Sequence, residues 1–286
     1  MNIISIHIFP HELSEYKRII DDLNISLHRI EPDQVEIRAC LNLNSSLIDY
    51  TDPSDYENTK TRFTEINRGS TIICKESIKD ELNFKGVNEH RRETIKNTSE
   101  DDVILFLDCD LHFNKNLLYH LIETSKTLKK QNRFFILTPQ CVRLWDTTWD
   151  CLVNKDFIKK PIGFFNEIQP ETLVERTYGN LYPKKIDTFK WAGGWFTCMP
   201  ADLAKFIGIP ESFVGYGPDD TFMMECCKKL KQSGVGVSQY LLNGMVVCED
   251  PRLQKKPTMF KKNIPNFRNE SNKHFHTELN NFFRKL

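Results

Sequence analysis

Val103-Ile104-Leu105-Phe106-Leu107-Asp108-Cys109-Asp110 decides the fold: five apolar residues stop at two carboxylates spaced one residue apart. The polar segment Asn97-Thr98-Ser99-Glu100-Asp101-Asp102 precedes it. A short aliphatic run bounded in this way reads as a strand covered on both faces, as in parallel sheets. Acids that follow such a strand emerge at the carboxyl edge, where open α/β sheets bind ligands.

Strand and helix patterns alternate around this run. Residues 3–9 read as a first strand, 12–24 as a helix with Leu13, Tyr16, Ile19, Ile20 and Leu23 on one face, and 35–43 as a second strand. This is a βαβ opening. Residues 45–67 are polar, with turn signals at Asp52-Pro53-Ser54-Asp55, and are expected to form a surface excursion. Residues 71–74 are expected to add a short strand, 88–96 a helix, 116–129 an amphipathic helix and 133–139 another strand. The class expected is α/β, with a mostly parallel central sheet flanked by helices.

At 286 residues and 40% hydrophobic content, the chain can bury a sizeable core. Lys plus Arg and Asp plus Glu both total 39, so no basic excess points to nucleic acid. The segment Ile3 to Phe9 has no preceding positive region and is too short for a signal peptide. No stretch approaches the roughly 18 apolar residues of a membrane span. The nine cysteines include no Cys-x-x-Cys pair, which argues against a disulfide framework and a structural zinc site. A reducing, cytoplasmic setting is the expectation.

The pair Asp108 and Asp110 suits a hard cation, because magnesium and manganese take oxygen ligands and keep part of their shell for water and phosphate. A solvated strand end is the competing reading. A second region combines Lys190-Trp191-Ala192-Gly193-Gly194-Trp195-Phe196 with Gly215-Tyr216-Gly217-Pro218-Asp219-Asp220. Adjacent glycines between tryptophans suggest a backbone that passes close to a ligand. Asp219 and Asp220 open a helix expected over 221–231, where a carboxylate is favoured by the free amides; helix capping alone is the alternative.

Leu107-Asp108-Cys109-Asp110, Gly193-Gly194-Trp195 and Gly215 to Asp220 follow the order and approximate separation seen in nucleotide-sugar glycosyltransferases of the GT-A fold. The chain resembles the family 2 type, and the galactosyl- and N-acetylgalactosaminyltransferases whose second motif reads Gly-Gly and then Trp-Gly-x-Glu-Asp. The resemblance covers most of residues 1–250. Tyr216 stands for the tryptophan and Asp219 for the glutamate.

The resemblance implies a metal-dependent transferase using Mn2+ or Mg2+ and a nucleoside-diphosphate sugar, a UDP-sugar first. Asp110 would bind the metal, and Asp108 would hold the ribose or a metal-bound water. Asp220 would take the proton from an acceptor hydroxyl, with inversion, and Asp219 would orient the acceptor. The Gly193-Gly194 turn would lie against the donor sugar, with Trp191 or Trp195 offering it an apolar face unless both tryptophans belong to the core, and Pro10 and His11 would contact the nucleotide. Arg91 or Arg92 would reach the base or diphosphate. No histidine follows the strand expected over 244–248, so either Glu249 or Asp250 would stand in as a third metal ligand or water would complete the shell.

Residues 1–110 then form a nucleotide-sugar-binding half and 111–251 an acceptor-binding, catalytic half of one domain. The acceptor would be a glycan or lipid-linked glycan, in surface polysaccharide assembly. A nucleotidyltransferase and a non-catalytic glycan-binding accessory subunit are the rival functions. Residues 252–286 form a basic extension with nine Lys or Arg against two Glu. Within it Phe275, Leu279, Phe282 and Leu286 share a helical face, which either packs on the domain or docks peripherally on anionic lipid.

Overall fold

The computed structural model describes residues 1–47, 53–115, 118–132, 134–143, 147–150, 159–161, 181–187, 196–249 and 259–286. The opening is β1 (Asn2–Ile8), α1 (Leu13–Ser26), β2 (Val35–Asn42), α2 (Pro53–Arg68), β3 (Ile73–Lys79), α3 (Val87–Lys96) and β4 (Val103–Leu107). A short β5 (Leu111–Phe113), α4 (Leu118–Gln131) and β6 (Phe134–Arg143) follow. Next come β7 (Thr147–Asp150), β8 (Lys159–Pro161), β9 (Tyr182–Ile186), β10 (Phe196–Pro200) and α5 (Ala201–Ile207). The chain closes with α6 (Asp219–Gln232), β11 (Val237–Glu249) and α7 (Met259–Arg284).

These strands make one mixed sheet with the order β3-β2-β1-β4-β10-β6-β11-β5. The strands β3, β2, β1 and β4 run parallel, β10 enters antiparallel between β4 and β6, and β11 is parallel to β6. Side chains alternate across the sheet as the two-residue strand period requires. Ile4, Ile6, Ile8, Leu105 and Leu107 join one core with α1, α2 and α4. Ile3, Ile104 and Phe106 join a second core with α3, α5, α6 and α7. Helices on both faces explain why β1 and β4 are buried along their whole length.

Two expectations need correction, and one open choice is resolved. Within residues 45–67, the segment from Pro53 onward is α2, which Phe63 anchors by full burial, with Tyr56 and Ile66 packed against the core beside it. Proline suits the first turn of a helix, so Pro53 begins one rather than marking only a bend. The third strand is Ile73–Lys79 instead of 71–74, because a polar edge strand carries no apolar run to reveal its length. The C-terminal helix packs on the domain: Phe282 is buried in the second core, with Phe275, Leu279 and Phe283 against it. Leu286, placed on that face by periodicity, is 45% exposed because the helix has ended. No helix among the described residues is long and apolar enough to cross a membrane.

Candidate active site

Strands β1 and β4 are neighbours although the chain visits β2 and β3 between them, so the strand order reverses at their boundary. The crevice outside the carboxyl ends at such a reversal is where open α/β sheets bind ligands. Pro10 and His11 leave β1 there in the short turn Pro10–Glu12, and Asp108 and Asp110 leave β4. Glu12 accepts a hydrogen bond from the Phe9 N–H at 2.8 Å, and the His11 ring stacks on Phe9 with centroids 5.9 Å apart. From α1, Arg18 donates to the carbonyls of Cys109 at 3.4 Å and Leu111 at 2.8 Å, on either side of Asp110. The acidic turn is thus tied to a covering helix.

The centre of the site is Arg91 on α3, whose side chain is 8% exposed. Its guanidinium donates to Asp219 Oδ2 at 2.7 Å and to Asp108 Oδ1 at 3.0 Å. Acids from the end of β4 and the start of α6 therefore meet on one cation. Burial works against the charge on Arg91, but Asp219 and Asp108, with Asp220 beyond them, outweigh it and raise its pKa above the ordinary value. Burial raises the pKa of Asp108, Arg91 pulls against that rise and Asp219 adds to it. The guanidinium also lies 5.5 Å from the centre of the Phe106 ring.

Capping does not account for the acid pair, because the cap of α6 is Pro218 and both acids sit inside the first turn. Asp219 is buried and turned to Arg91, while Asp220 is partly exposed and accepts from the Thr221 N–H at 2.6 Å. Asp220 lines a narrow cleft with Arg91, Phe106, Thr197 and Met223. The fully buried Asn88 amide lies between Asp219 and Gly217. With its nitrogen toward the acid it donates to Asp219 Oδ1 at 3.1 Å, and its oxygen accepts from the Gly217 N–H at 3.3 Å, which gives both atoms a partner.

Beneath Arg91 lies a buried polar layer. Ser5 Oγ meets His90 Nε2 at 3.0 Å and Thr94 Oγ1 at 3.1 Å, and the Asn42 amide donates to His7 Nε2 at 3.4 Å. Burial lowers the His90 pKa to about 3, assisted by the Arg91 charge. Burial, His90 and Arg91 hold His7 well below its usual value. Both rings are neutral at pH 7, so within this buried layer Arg91 is the cation that faces Asp108 and Asp219.

The other expected site residues have distinct placements. Arg92 turns away from the acids and donates to the carbonyls of Pro210 at 2.7 Å and Phe213 at 3.0 Å, so it holds the loop leading into α6. Glu249 stands opposite Leu111 in the antiparallel pairing of β11 with β5, one residue from Asp110. Its side chain lies outside the described residues, as do Gly193, Gly194, Trp195 and Asp250. Among the described residues no group of three or more His, Cys, Asp or Glu side chains forms a metal-holding cluster. The all-oxygen donors Asp108 and Asp110, with the Glu249 backbone alongside, nevertheless fit a hard divalent cation in their chemistry.

Arg18, Asn88, His7 and His90 are site components that sequence reasoning did not single out. One signal was available for α3. Only Val87 and Ile95 are apolar in that helix, so its buried face has to find polar partners.

The sequence matches no protein-family model and no curated protein. Among solved structures the chain is similar to the crystal structure of GalNAc-T7 with UDP, GalNAc and Mn2+, at a TM-score of 0.46 and 13% identity. The match covers 81% of this chain and 41% of that one, so this chain spans well under half of its length.

Proposed function

We propose that this protein is a metal-dependent glycosyltransferase that moves a sugar from a nucleoside-diphosphate donor, a UDP-sugar first, to a hydroxyl of a glycan or lipid-linked glycan. One observation carries the reading: Arg91 joins Asp108, at the ligand-binding edge of the sheet, to Asp219 at the start of the helix that bears Asp220. Asp108 and Asp110, with Glu249, would hold Mn2+ or Mg2+, which when bound offsets charge on the departing nucleoside diphosphate.

The protein's own groups supply the rest. Asp220 accepts the proton of the acceptor hydroxyl as its oxygen bonds to the anomeric carbon, and the diphosphate leaves with the electron pair of the broken bond. Inversion follows if the acceptor attacks from the face opposite the diphosphate. Asp219, locked to Arg91, sets the position of its neighbour and is poorly placed to bind an acceptor itself. Pro10, His11 and the turn they form border the nucleotide, and Gly193, Gly194 and Trp195 belong to the donor-sugar side. Surface polysaccharide assembly in the cytoplasm is the setting that fits this reading.

The test is release of nucleoside diphosphate from a panel of nucleotide sugars with Mn2+, with and without a crude glycan acceptor. Asp110→Ala and Asp220→Asn are each expected to lower turnover about 100-fold or more while the folded protein stays intact. Full turnover in both variants would sink the proposal.

A further inference from the structure

Gly215 and Gly217 flank Tyr216 in the loop that delivers Asp219 and Asp220, and their lack of side chains serves the C-terminal helix. A Cβ on Gly217 would come within 2.7 Å of both Cβ and Oγ of Ser271, and within 3.0 Å of the Asn88 side-chain amide. A Cβ on Gly215, whose φ is +64°, would meet the Phe267 ring at 3.1 Å. Ser271 is fully buried, and its hydroxyl donates to the Val214 carbonyl at 3.3 Å. Phe267 and Tyr216 pack with Phe9 and Leu47, and Arg268 covers the Tyr216 ring at 5.1 Å.

The same loop is gripped by α3. The Gly215 N–H donates to Glu89 at 3.0 Å, the Asn88 N–H donates to the Gly215 carbonyl at 3.3 Å, and the Asn88 side chain joins Gly217 to Asp219. A continuous set of contacts runs from Ser271 through Gly217 and Asn88 to Asp219, Arg91 and Asp108. Only a small residue at 217 and another at 271 allow it, because a buried contact at this spacing has no room for an added methyl group.

We propose that Ser271 is a positioning residue of the active site: seated on Gly217, it fixes the loop that sets Asp219 and Asp220 against Arg91, so α7 is part of the catalytic scaffold. The role in turnover rests on the glycosyl-transfer reading, whereas the coupling of α7 to the loop does not.

The experiment uses the full chain and two readouts, steady-state turnover with a nucleotide sugar and hydrogen exchange of the peptide covering 212–222. Gly217→Ala is expected to lower kcat about 10- to 100-fold with donor KM changed less than about three-fold, since small misplacements of catalytic groups act on the chemical step. Exchange in 212–222 rises in the same variant while the β4 peptide keeps its protection. Ser271→Gly added to Gly217→Ala removes the two 2.7 Å clashes, leaves the 3.0 Å approach to Asn88, and restores a large part of both readouts. A merely structural contact would lower the yield of folded protein and leave kcat per folded molecule unchanged, which would overturn the proposal.

Failure of Ser271→Gly to restore either readout would overturn it too. If Gly217→Ala does not fold, Ser271→Gly alone is expected to lower kcat about three-fold or more and to speed exchange in 212–222; wild-type values of both would end the idea. If the wild-type protein turns over no nucleotide sugar, the glycosyl-transfer reading falls, and the exchange data decide the coupling by themselves.

Discussion

The guanidinium of Arg91 and the carboxylate of Asp219 lie 2.7 Å apart although 128 positions separate them in the chain. Both side chains are nearly sealed from water, so neither charge has a substitute partner in solvent. Removing one member of a buried pair strands the other, at a cost of about 3 to 5 kcal/mol. Arg91→Met is therefore expected to lose that much stability in urea unfolding. Arg91→Lys keeps the charge but not the two-pronged fork, so it recovers only part of the stability and loses turnover. Wild-type stability in Arg91→Met would show that the pair does not organise the site.

Neutral histidines next to Arg91 make stability depend on pH. The His90 pKa is about 3 in the folded protein against 6.5 in an open chain, and His7 is depressed as well. Below pH 6.5 the unfolded chain takes up protons that the folded one refuses, so stability is full above that pH and falls as the solution is acidified. Each histidine contributes a loss of up to about 1.4 kcal/mol per pH unit in that window. Urea midpoints measured from pH 7 to 4.5 should show a shallower slope in His90→Gln than in the wild type. Equal slopes would mean that His90 is charged or exposed.

Packing of α7 has a measurable weight. Phe282 is 6% exposed and meets the rings of Phe222 and Phe206 with centroids 6.4 and 6.1 Å away. Phe282→Ala is expected to destabilise the protein by about 3 kcal/mol, as large-to-small core substitutions do. A neutral result in thermal unfolding would favour the lipid-facing reading of this helix.

The acidic turn depends on a residue outside it. Arg18 spans the carbonyls of Cys109 and Leu111, and it also pairs with Asp22 at 3.2 Å. Arg18→Ala is expected to weaken Mn2+ affinity roughly 10-fold, the scale on which outer partners of a metal site act. Isothermal titration of the metal in the absence of any nucleotide sugar reads this directly, and unchanged affinity would separate Arg18 from the turn.

Much of the core was legible in the order of residues alone. The βαβ opening, the strand Val103–Leu107 ending on Asp108 and Asp110, and the helix beginning at Asp219 follow from periodicity and composition, which act over a few neighbouring residues. The helix α2 escaped because its core contacts, Tyr56, Phe63 and Ile66, are scattered among polar residues, too sparse a signal for a pattern. Strand β10, which inserts antiparallel between β4 and β6, has no local mark of its partners.

Which acids share a cation, and which small residues touch, was settled only by the folded chain. Arg91 and Arg92 are adjacent and chemically alike, yet the turn of α3 sends one to Asp108 and Asp219 and the other to loop carbonyls. Local order dictates whether a segment becomes strand or helix, because backbone conformation answers to near neighbours. The meeting of Gly217 with Ser271, or of Arg91 with two distant acids, arises from packing whole elements together.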